Sequence, residues 1–177
     1  MTSSNLLIET ERLIIRPFTM ADLEATYAMN LDPEISKYTG DGGVVSKAEI
    51  ERRIAENILG DYEKYGFGRL AVELKGEAKF IGFTGLKYLD DLNEVDLGFR
   101  FLKEYWGKGI ATESGRACVE LGFNTLDLER IMALVLPANS GSIRVLEKLN
   151  FAFEKEIVEE GQSVKVYGVT KDQASTT

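Results

Sequence analysis

Residues 93–112 constrain the fold more than any other stretch of this chain. Val95, Leu97, Phe99 and Phe101 alternate with Glu94, Asp96, Gly98 and Arg100, so an extended segment here has one apolar face and one polar face. Behind it Gly107 and Gly109 mark a turn, and a helix opens. Strand, glycine turn and helix together present successive backbone N–H groups to an anion. The two glycines lack a Cβ and let the backbone come close to a ligand. Residue types exclude two other anion loops. A dinucleotide fingerprint needs Gly or Ala three residues after Gly109, where Thr112 stands. A Walker A loop needs a closing Gly-Lys-Ser/Thr, which the chain lacks here.

The remaining elements follow from local signals. Residues 9–16 predict a first strand that stops at Pro17. Thr19, with Asp22 three residues on, predicts a capped helix to about Asn30, ended by Asp32-Pro33. Residues 36–45 carry Gly40, Asp41, Gly42 and Gly43 and read as a mobile loop. Ser46 and Glu49 form a capping box, and Ile50, Ile54 and Ile58 give the next helix one apolar face to about Tyr65. Strands at 69–74 and 79–86 read as a hairpin, with Gly82 and Gly85 predicting a bend or bulge. After the glycine turn, helix 111–125 has small residues at Ala111, Gly115, Cys118 and Gly122. A strand at 130–136, a helix at 140–149 and a hairpin of 151–158 with 164–169 complete the order. The prediction is a mixed α/β fold, β-α-α-β-β-β-α-β-α-β-β, with about seven strands in one mostly antiparallel twisted sheet and about four helices. Residues 1–170 form one domain, and 171–177 read as a disordered tail.

Composition narrows the chemistry. The chain has no histidine, which excludes Ser-His-Asp and Cys-His catalysis and the usual zinc sites. Its single cysteine, Cys118, excludes an internal disulfide and a cysteine cluster for metal. The net charge of −8 argues against non-specific nucleic-acid binding and fits a cationic substrate and ordinary solubility equally. No apolar run approaches the ~20 residues of a membrane span, so a soluble, cytoplasmic protein is expected.

The run 105–113, Tyr-Trp-Gly-Lys-Gly-Ile-Ala-Thr-Glu, resembles the acetyl-CoA loop of the GNAT N-acetyltransferases, whose pattern is Arg/Gln-x-x-Gly-x-Gly/Ala. Gly109, Ile110 and Ala111 fit its last three positions, and Trp106 replaces the first. This form, with Thr10-Glu11-Arg12-Leu13 and Arg16-Pro17, is similar to the RimJ/RimL ribosomal-protein branch. The element order is also that of the GNAT fold. The resemblance implies that the fourth and fifth strands splay apart and that the pantetheine arm of the cosubstrate acetyl-CoA lies between them. It also implies direct acetyl transfer to a primary amine, on a protein N-terminus or a small molecule, with no metal. An acyl-CoA-binding regulator without turnover is the alternative, and monomer and homodimer both stay open.

Site residues follow from the same resemblance. Gly107, Lys108, Gly109, Ile110, Ala111 and Thr112 would bind the pyrophosphate, with Trp106 wedging the loop. Asn139, Ser142 and Lys148 match the family spacing Asn-x-x-Ser-x-x-x-x-x-Lys; Asn139 would contact the CoA arm, though it equally suits a helix N-cap. Arg144 would reach the 3′-phosphate or stand in solvent. The N–H groups of Phe101 and Leu102 would polarise the thioester carbonyl. Ser142 or Tyr167 would protonate the thiolate. An amine acceptor must lose a proton before attack; without histidine the base must be a carboxylate, a tyrosine, a lysine, a water or a terminal group, and a carboxylate beside the pocket can take the proton directly or through water. Asp96 and Glu94, two apart on one strand face, are the candidates; the alternative for both is a solvated sheet face.

Overall fold

The computed structural model of the protein describes residues 6–39 and 42–175. One eight-stranded sheet runs through it in the order β1-β2-β3-β4-β5-β6-β8-β7: β1 Ile8–Glu9, β2 Leu13–Pro17, β3 Arg69–Leu74, β4 Lys79–Leu89, β5 Glu94–Phe101, β6 Arg130–Val135, β7 Ala152–Glu159 and β8 Gln162–Thr170. Every neighbouring pair is antiparallel except β5 with β6. This is the mixed, mostly antiparallel fold expected, with one strand more than the seven foreseen. The extra one is β1, whose two residues are too few to show a period of two.

The helices are α1 Leu23–Asn30, α2 Pro33–Ser36, α3 Lys47–Arg52, α4 Leu59–Tyr65, α5 Ile110–Glu120, α6 Ser140–Lys148 and α7 Lys171–Ala174. Their starts obey local chemistry. Thr19 and Asp22 form the expected capping box, over a 3-10 turn that leads into α1. The Ser46 side chain accepts from the Glu49 N–H and starts α3. A π-helical stretch, Arg53–Ile58, joins α3 to α4 into the single helix predicted. Asp32-Pro33 ends α1 but also opens α2, because Pro suits the first turn and Asp32 accepts from the Glu34 N–H. Gly42 and Gly43 of the loop expected there both have positive φ; Gly40 and Asp41 lie outside the described residues.

The tail expectation needs correction over residues 171–174. Thr170 and Gln173 form a capping box that starts α7, and Lys171 N–H donates to Glu129 O at 3.0 Å. Capping and a main-chain bond to the neighbouring segment hold this turn in place.

Two layers cover the sheet. On one face α5 and α6 bury Leu97, Cys118, Val119, Ile131, Ala133, Leu146 and Tyr167. The small face of α5 allows this closeness: a Cβ on Gly115 would sit 2.8 Å from Leu149 Cδ1, and one on Gly122 2.8 Å from Ile131 Cδ1. On the other face Ile50 and Ile54 of the 47–65 helix pack with Phe18 and Ala71, joined by Leu23 and Tyr27 of α1. The register shift between Val72 and Glu73 leaves Ile81 as the extra residue of β4 beside Gly82, the irregularity predicted there.

Candidate active site

β5 and β6 part from one another. Their parallel register holds a single pair, Asp96 with Met132. Beyond it β5 continues on β4 alone, and β6 on β8 alone. This is the splay that the family resemblance implied. The Leu102 N–H donates to Ile81 O at 2.9 Å, so Phe101 faces Gly82 as a non-hydrogen-bonded pair. The N–H of Phe101, and by alternation that of Phe99, therefore points into the gap. Of the two carbonyl-polarising donors expected, Phe101 is aimed at the gap. Leu102 is a correction, because its N–H is already given to β4.

At the mouth of the fork the chain makes a 3-10 turn, Lys103–Tyr105, then Trp106, Gly107 with φ 72° and Gly109 with φ 79°. Gly109 is the N-cap of α5 and gives no side-chain cap. The N–H groups of Ile110, Ala111 and Thr112 in the first turn have no partners within the helix and carry the positive end of its dipole. Neighbours hold the loop in shape. Trp106 Nε1 donates to Phe101 O at 2.9 Å, tying the loop to the strand end. Arg12 Nη1 donates to Lys108 O at 2.9 Å. Arg12 Nε meets Glu113 Oε1 at 2.7 Å, and Thr10 Oγ1 donates to Glu113 Oε2 at 2.6 Å. Burial pushes the Glu113 carboxyl up, but the bonds from Thr10 and Arg12 outweigh it and hold it below the ordinary carboxylate value.

The helix facing this loop starts at Asn139, whose side chain accepts from the Ser142 N–H at 3.2 Å, so the capping role is realised. Ser142 is half-buried; Arg144 and Lys148 are exposed. Lys148 borders a shallow groove of about 490 Å³ with Gly109, Thr112 and Arg116. Sequence reasoning missed Arg116, although it lies one turn after Thr112 on the same helix stripe. Tyr167 is 6% exposed and packs edge-on to Phe153 with ring centroids 5.8 Å apart. It is a core residue on the α6 face. A second cavity, about 590 Å³, lies between α1–α2 and the end of β5, lined by Ala28, Asp32, Ile35, Leu102, Lys103 and Glu104.

Asp96 and Glu94 share a strand side as expected, but neither stands open, and this corrects the reading of them as available carboxylates. Asp96 is 6% exposed; its Oδ2 meets Arg69 Nη2 at 2.6 Å, and its Oδ1 accepts from the Leu134 N–H at 3.1 Å. Glu94 takes Arg130 Nε on both oxygens, at 3.1 and 3.2 Å, while Arg130 also reaches Glu154 at 2.6 and 2.8 Å. The bond to Glu154, against some desolvation, raises the Arg130 pKa, and the bond from Arg130 lowers that of Glu154. Both arginines were missed. The available signal was glycine: Gly98 lies under the Arg69 guanidinium, and Gly168 under the Arg130–Glu154 pair, where a Cβ would come within 2.6 Å and 2.1 Å of side-chain atoms. Among the described residues no group of His, Cys, Asp and Glu is arranged to hold a metal ion, and no helix is long and apolar enough to cross a membrane.

Residues 12–152 match the acetyltransferase (GNAT) domain family. YnaD of Bacillus subtilis, an uncharacterized N-acetyltransferase, is 32% identical over 148 residues, covering 83% of each chain. Among solved structures, a GNAT-family acetyltransferase from Bacillus anthracis superposes with a TM-score of 0.80 at 27% identity, covering 94% of this chain and 99% of its own. RimL, a ribosomal alpha-N-protein acetyltransferase in complex with coenzyme A, superposes at 0.79 over 94% of this chain and 99% of its own; at 18% identity that likeness is one of fold.

Proposed function

The chain belongs to the GNAT acetyltransferase family, and from that premise we propose that it is an acetyl-CoA-dependent N-acetyltransferase that moves the acetyl group directly to a primary amine. The observation that carries the reading is the fork between β5 and β6, with the bare first turn of α5 at its mouth. The gap suits an extended arm, and the amides of Ile110 to Thr112 suit a pyrophosphate. Arg116 and Lys148, beside that turn, suit a further phosphate.

In this reading the Phe101 N–H, aimed into the gap, polarises the thioester carbonyl. The amine enters from the cavity beside Leu102, where Asp32 and Glu104 favour a cation. Its nitrogen forms the new C–N bond as the C–S bond breaks. The ammonium proton leaves through water, because Asp96 and Glu94 are both closed by arginines. The Ser142 hydroxyl, half-buried at the start of α6, is better placed than the core residue Tyr167 to protonate the thiolate.

A panel of primary amines with acetyl-CoA, read by release of free CoA thiol, tests this. Turnover with at least one class, a peptide N-terminus or a small-molecule amine, is expected. Tight acetyl-CoA binding with no thiol release across the panel would instead favour the acyl-CoA-binding regulator.

A further inference from the structure

We propose that Arg69 and Asp96 form a pin that sets where the sheet forks, so that Asp96 is a positioning residue for the thioester arm. The inference rests on the acetyltransferase reading above and names the device that opens its cofactor gap.

Hydrogen bonding at the fork is specific. In a continuing parallel ladder registered on Asp96 and Met132, the Leu134 N–H would donate to the Leu97 carbonyl. Instead it donates to Asp96 Oδ1 at 3.1 Å. The carboxylate takes the place of the next main-chain rung and ends the ladder there. The Leu97 carbonyl and the Phe99 N–H are thereby left facing the gap. Arg69 locks the carboxylate in that position. It starts on β3, opposite Gly85 of β4, which itself lies opposite Gly98 of β5. Its Nη1 donates to Gly85 O at 2.6 Å and Asp96 O at 3.0 Å, and its Nη2 to Asp96 Oδ2 at 2.6 Å. One guanidinium thus ties β3, β4 and β5 together, and the carboxylate it holds ties β5 to β6. The path exists only because Gly98 is bare: a Cβ there would lie 2.6 Å from Arg69 Cζ and Nη2.

Arg69→Gln, Asp96→Asn, their double variant and Gly98→Ala test the pin, with CoA affinity measured by calorimetry, acetyl transfer followed across pH, and melting temperature recorded. We expect both single variants to weaken CoA binding tenfold or more while leaving the shape of the pH–rate profile unchanged. The double variant, with two amides facing each other, should recover part of the lost affinity. Gly98→Ala keeps both charged groups, and it should weaken CoA binding even if an amide variant fails to fold. A base would behave otherwise: Asp96→Asn would keep full CoA affinity and lose rate that returns at alkaline pH, and Arg69→Gln would not impair turnover. That result, or unchanged CoA affinity in Gly98→Ala, overturns the pin. Failure of the unaltered protein to bind CoA would instead remove the acetyltransferase reading beneath it.

Discussion

Arg12 and Glu113, 101 positions apart in sequence, meet twice: Nε to Oε1 at 2.7 Å and the Arg12 N–H to Oε2 at 3.0 Å. Through Arg12 Nη1 this pair also holds the Lys108 carbonyl, so it braces the glycine turn against the first hairpin. The consequence is testable. Glu113→Gln should lower acetyl-CoA affinity several-fold and lower the melting temperature at neutral pH. The Glu113 pKa is depressed on folding from its ordinary 4.5, so the stability it contributes is present above about that value and is lost as pH falls through the lower folded value. Melts of parent and variant should therefore converge in acid. A gap that persists at low pH would refute the assignment.

Gly109 has φ 79°, a conformation that costs an L-residue roughly 1–2 kcal/mol. Gly109→Val should abolish acetyl-CoA binding, because a branched residue is disfavoured at this φ and its Cβ would press on Arg12 Nη2, 3.4 Å away, which helps hold the loop in shape, with only a modest fall in melting temperature. Calorimetry showing unchanged affinity would take the loop out of the site.

Asn139 should serve two separable roles. Its cap is worth about 1 kcal/mol, which Asn139→Ala should lose and Asn139→Ser should largely retain. Contact between its amide and the CoA arm should be lost in both variants, weakening CoA binding by up to about tenfold for one hydrogen bond. Full CoA affinity in Asn139→Ser would leave the residue as a cap alone.

Cys118 is fully buried, and burial pushes its thiol up to about 11, against a smaller opposing bond to the Thr84 hydroxyl. It should stay neutral and unreactive toward thiol reagents at pH 8 until the protein unfolds. A native-state titration should thus register CoA thiol alone, and rapid native labelling of Cys118 would contradict its burial.

The strand at β5, the glycine turn, the start of α5 and the caps at Thr19, Ser46 and Asn139 were legible in the chain because each is written within a few residues. Periodicity, missing Cβ atoms and a side-chain oxygen ahead of a helix act locally, and they give the same answer in any tertiary context that tolerates them. The absence of histidine was equally decisive, since it excludes whole classes of chemistry without any structure. The tertiary structure alone decided what the polar face of β5 does. Nothing near Asp96 in sequence announces Arg69, which lies 27 positions away and reaches it across Gly85 and Gly98 from two strands over. Nothing near Glu94 announces Arg130 and Glu154. A strand pattern states which side chains share a face, but the partners on that face come from strand order and register. A guanidinium reaching in from another strand then makes a carboxylate part of the frame, where the same residue with no such partner would face open water.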